Sequence, residues 1–79
     1  MAKDYEQEIY STTDLYLAAF LKAKKYFVRL KREGRQCHFT FIDDPKLQEA
    51  IVNYFNDGQV GVTSFKNALQ DLKTLMFNA

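Results

Sequence analysis

Seventy-nine residues, 47% hydrophobic and 27% charged, with 11 Lys+Arg against 10 Asp+Glu, make one small domain with a net charge of +1. Leu, Ile, Val and Phe supply 22 of the 79, enough apolar surface to drive folding rather than disorder. A single cysteine excludes an intramolecular disulfide, and the longest apolar run, Leu15 to Leu21, falls far short of the roughly 20 residues that cross a bilayer.

Residues 1–8 are polar and read as a poorly anchored tail, leaving 9–79 as the folded domain. Ser11, Thr12 and Thr13 offer side-chain oxygens to the open amides of a starting helix, and Asp14 puts negative charge at its positive end. The expected helix runs from Thr13 to Lys24. Its run from Leu15 to Leu21 has no polar face, so the helix is either central to the fold or shared with a second copy. From Tyr26 the period changes to two. Tyr26, Val28 and Leu30 alternate with Phe27, Arg29 and Lys31, and after Gly34 Cys37, Phe39 and Phe41 alternate with Gln36, His38 and Thr40. This is a β-hairpin. With Glu33-Gly34 as a two-residue loop, Leu30 faces Cys37, Val28 faces Phe39, Tyr26 faces Phe41, Arg29 faces His38 and Lys31 faces Gln36.

Asp43-Asp44-Pro45 is a helix start, an Asx cap followed by proline at the first helical position. Leu47, Ala50, Ile51, Tyr54 and Phe55 form the apolar stripe of this second helix, which Asp57-Gly58 ends. Gln59 to Val62 is short and extended, a candidate third strand at the hairpin edge. Thr63 or Ser64 then caps a last helix with the stripe Phe65, Ala68, Leu69, Leu72 and Leu75 or Met76. The expected fold is α+β: helix, hairpin, helix, short strand, helix. Its helices cover one face of a small antiparallel sheet and leave Arg29, Lys31, Gln36, His38 and Thr40 toward water.

The stretches STTDLYLAAFLKAKKY (Ser11 to Tyr26), FTFIDDP (Phe39 to Pro45) and VNYFNDGQVGVTSFKNALQDLK (Val52 to Lys73) span most of the chain. Across them the chain resembles a family of small prokaryotic and phage-encoded proteins classed as a domain of unknown function. The resemblance implies a shared fold and a cytoplasmic setting, and it carries no activity or site residue with it. The start of the chain agrees with that setting, since it lacks the basic-then-apolar pattern of a secretory signal.

No residue set points to catalysis or to a cofactor. Cys37 and His38 are neighbours in a strand and point to opposite faces, so they cannot form a thiolate–imidazole pair. One Cys and one His cannot close a zinc site, and no acidic run has calcium-loop spacing. Asp43 and Asp44 read as a helix cap rather than as an acid/base pair, and Gly58 and Gly61 lack the surroundings of a phosphate loop.

The one asymmetry is in charge. Residues 22–35 hold Lys22, Lys24, Lys25, Arg29, Lys31, Arg32 and Arg35 against Glu33, 7 − 1 = +6, and the remainder holds 4 basic and 9 acidic residues, −5. Lys24, Lys25, Arg29, Lys31, Arg32, Arg35 and His38 are therefore the candidate contacts to a nucleic acid. The competing reading is a solvated face whose charges protect a sheet edge and complement a helix dipole. A second functional reading uses the all-apolar helix, Leu15 to Leu21, as the surface for a protein partner or for a homodimer.

Overall fold

The computed structural model describes residues 8–78, in the order β1 (Ile9–Thr12), α1 (Leu15–Ala23), β2 (Arg29–Glu33), β3 (Gln36–Ile42), α2 (Pro45–Phe55) and α3 (Val62–Asn78). The expected N-terminal tail lies outside the described residues except for Glu8, whose carbonyl accepts the Asp43 amide at 2.9 Å. The fold is α+β, with an antiparallel sheet ordered β1-β3-β2.

β1 replaces the third strand expected at Gln59 to Val62, where the chain is irregular up to Gly61 and Val62 already begins α3. The serine and threonines taken as helix caps are strand and connector residues. Thr12 ends β1 and its Oγ1 accepts the Asp14 amide at 3.0 Å. Asp14 is the cap, its carboxylate accepting from the Tyr16 and Leu17 amides at 3.0 and 3.2 Å. Asp44 caps α2 as expected, accepting the Leu47 amide at 2.7 Å just before Pro45. Each cap is worth about 1 kcal/mol. α3 starts one turn early: the Phe65 amide donates to the Gly61 carbonyl at 2.9 Å, which puts Thr63 and Ser64 inside the first turn.

The hairpin turn is Gly34-Arg35, not Glu33-Gly34. Glu33 pairs with Gln36, and Gly34 takes φ +61° while Arg35 keeps a negative φ, the pattern of a type II′ turn with glycine first. The pairing therefore slips by two. Leu30 faces Phe39, Lys31 faces His38, Arg32 faces Cys37 and Arg29 faces Thr40. A slip of two keeps every side chain on its expected face. Tyr26 to Val28 enter β2 without pairing in the sheet.

Phe39 and Phe41 of β3 are buried on the inner face together with Leu17, Ala18, Ala19, Phe20 and Leu21 of α1, Leu47 and Ala50 of α2, and Ala68 and Leu72 of α3. α1 packs against both other helices. That explains its lack of a wet face, and it corrects the reading of Leu15 to Leu21 as a partner surface: Leu17, Phe20 and Leu21 are 1%, 3% and 0% exposed. On α3 the inward turn is completed by Met76, while Leu75 stays exposed; on α2 Phe55, expected in the stripe, is also exposed.

α1 and α2 end alike. The Tyr26 amide reaches back to Leu21 and the Lys25 amide to Lys22, just as Gly58 reaches Asn53 and Asp57 reaches Tyr54. These are Schellman closures, which place one residue in the left-handed region, here Lys25 (φ 78°) and Asp57 (φ 66°). Gly58 follows that residue rather than being it, and its need is close approach: a Cβ there would sit 2.7 Å from the Asn53 carbonyl oxygen. A lysine in the left-handed region costs about 1 kcal/mol relative to glycine. Lys25→Gly is therefore expected to raise the unfolding free energy by about that amount, seen as a higher denaturant midpoint at unchanged slope.

Candidate nucleic-acid interface

Among the described residues α1, α2 and α3 all lie on the inner face of the sheet, which leaves the outer face open. Strand alternation sends Ile9 and Ser11 of β1, Gln36, His38, Thr40 and Ile42 of β3, and Arg29, Lys31 and Glu33 of β2 to that face. Among the described residues Glu33 is the only acid on it. Glu33 lies against Lys31 Nζ at 3.7 Å and His38 Nε2 at 3.5 Å. The carboxylate of Asp43, the residue after Ile42, is turned away toward α2, where its Oδ1 accepts from the Gln48 side-chain Nε2 at 2.8 Å.

The seven candidate contacts do not all gather here. Arg29, Lys31 and His38 share the outer face, and Arg35 is exposed at the tip of the hairpin. Lys25 sits at the rim, lining a groove with Phe27, Val28, Leu75 and the Lys22–Asp71 ion pair. Lys24 faces another way, its ammonium 5.4 Å from the centre of the Phe20 ring, in a depression shared with Lys46 and Glu49. Arg32 is on the inner side, opposite Cys37, and its guanidinium donates to the Met76 carbonyl at 2.7 Å. There it satisfies one of the open carbonyls at the end of α3, where a cation is favoured. Its parity with Leu30 carried that signal in the sequence. Cys37 and His38 project to opposite faces of β3 as alternation requires.

An apolar patch at one end of the outer face went unseen in the sequence. Ile9 and Ile42 pair directly and are 58% and 46% exposed; Phe27, 71% exposed, lines the same depression with Arg29 and Thr40. The Arg29 guanidinium lies 5.7 Å from the Phe27 ring centre, a cation–π contact. The signal for Ile9 was absent because its strand partner is distant in sequence. For Phe27 it was present, since Phe27 alternates with Val28 and so shares the parity of Arg29.

Among the described residues the titration shift that stands out is remote from this surface. Partial burial first, then Asp14 and Tyr16, hold the Tyr54 hydroxyl above its ordinary value of 10.0. The neutral phenol is the favoured form in the fold, so this contribution is complete below pH ~10 and lost only as pH rises further. The charge on the sheet near neutral pH is untouched by it.

Among the described residues no three His, Cys, Asp or Glu side chains converge as a metal site, and no helix is long and apolar enough to cross a membrane. A family model described as a domain of unknown function (DUF5659) matches residues 7–78. No curated protein and no solved structure matches the chain.

Proposed function

The chain belongs to the DUF5659 family, and we propose that it acts as a cytoplasmic, non-enzymatic interaction domain that lays the outer face of its sheet against nucleic acid. The observation that carries this reading is the one-sided build among the described residues: α1, α2 and α3 back the sheet, and the open face holds Arg29, Lys31 and His38 with one acid, Glu33. A sheet face of this kind can follow a phosphate backbone with its cations while hydroxyl and amide groups, here Ser11, Thr40 and Gln36, reach between phosphates. Outside residues 22–35 the chain holds 4 basic and 9 acidic residues, a dipolar distribution that favours approach of a polyanion from the hairpin end.

The test is an anisotropy titration with a labelled oligonucleotide across a salt series. Binding is expected at low salt and should fall linearly on a log–log plot, because each phosphate contact releases counterions. Glu33→Gln removes the acid that meets Lys31 and His38, and is expected to tighten binding about twofold to fivefold. No binding at low salt would end the proposal. A dimer by light scattering in that case would favour the other reading, a protein-interaction module. Its support is exposed Val52 and Phe55 on α2, 58% and 67% accessible, rather than the enclosed α1.

A further inference from the structure

Resting on the reading of the outer face as a nucleic-acid surface, we infer that its ligand is single-stranded, with Phe27 as the platform on which a base stacks. Phe27 is 71% exposed at the apolar end of the face, beside Ile9 and Ile42, with Arg29 over its ring and Lys25 along the adjoining groove. Cations thus flank the ring from both sides along the chain. A duplex offers this arrangement little, because its base faces are already stacked inside the helix and its surface is phosphate and polar groove edge. Burying Ile9, Ile42 and Phe27 against that surface would desolvate phosphates for almost no apolar contact. An unpaired strand exposes both phosphate and base face in each nucleotide. Phosphates then follow the cations of the β2 edge, Arg29 and Lys31, and of the rim, Lys25, while bases turn inward onto Phe27 and the isoleucine pair.

The acids support the same polarity. Glu33 stands at the far end of the sheet from Ile9 and Ile42, and Asp43 turns its carboxylate to Gln48 on the helix side. The apolar end therefore carries no acid from the sheet's outer face among the described residues; the acid that lines the groove beside Phe27 is Asp71 of α3, whose carboxylate lies 3.8 Å from Lys22 Nζ.

The chain contains no tryptophan, so Phe27→Trp adds a single reporter at an exposed position without disturbing the core. Its emission is expected to be quenched by a mixed-sequence single strand and left unchanged by the duplex of the same length. Phe27→Ala should raise the single-strand Kd at least about fivefold, with the duplex Kd unaltered, while circular dichroism reports an intact fold. Running deoxy- and ribo-oligonucleotides side by side tells which source binds more tightly, and either order supports the inference. Duplex binding as tight as single-strand binding, or equal loss of both in Phe27→Ala, would overturn it and leave the nucleic-acid reading standing. Failure of every oligonucleotide to bind at low salt would overturn both.

Discussion

Phe39→Ala is expected to remove most of the stability of the domain. Phe39 is 1% exposed at the centre of β3, paired on one side with Thr12 and on the other with Leu30, so its ring underlies all three strands. Replacing a buried phenylalanine by alanine costs about 3–5 kcal/mol, part transfer and part cavity. A domain of this size has a total of that order to lose. Thermal unfolding followed by far-ultraviolet circular dichroism should show a midpoint lowered by more than about 12 °C, or no cooperative transition at all. Phe55→Ala is the internal control. The same change in chemistry at a ring 67% exposed should stay within about 0.5 kcal/mol of the parent. Equal losses at the two positions would contradict the placement of β3 between two strands.

The double change Arg29→Ala, Lys31→Ala should weaken oligonucleotide binding by about 2 kcal/mol, roughly thirtyfold in Kd at low salt. It should also flatten the log–log salt dependence by about 1.4 for a single strand, since two phosphate contacts are removed. Arg32→Ala removes the same kind of charge from the same strand. Its side chain is on the inner side, donating to the Met76 carbonyl, so the expected result is the reverse: up to about 1 kcal/mol of lost stability and little change in binding. If Arg32→Ala weakened binding by about half as many kcal/mol as the double variant, in proportion to the one charge it removes, net charge rather than the outer face would govern the interaction. The pair of variants therefore separates geometry from charge count.

The parts of this fold that were legible in the sequence are those fixed by neighbours along the chain. Asp44-Pro45 marks the start of α2 because a cap and a proline act within one turn. The inner face of the hairpin was legible from alternation alone, and survives because the register slips by an even number. The slip itself was not legible. Glu33-Gly34 and Gly34-Arg35 are both two-residue loops with a glycine, and the choice between them depends on which position takes a positive φ. β1 was hidden for a different reason. Its partners are Phe39 to Ile42, and its Ser11-Thr12 looks locally like a helix cap, so only the distant strand decides what those residues become. For the candidate site the consequence is uneven. Arg29, Lys31 and His38 follow from alternation, but the isoleucine pair beside Phe27 exists only once β1 has docked.

The left-handed Lys25 sets thermal robustness against recognition. Asp57, in the same slot of α2, is a short polar residue that tolerates this backbone comparatively well; a lysine gains no such relief. Glycine would ease the turn and at the same stroke remove a positive charge from the groove beside Phe27. Improving the turn and keeping the charge are incompatible at that one position. Screening variants of this domain for a higher melting temperature would thus select against its charge, and a hyperstable form chosen for convenience would be the wrong reagent in which to measure affinity.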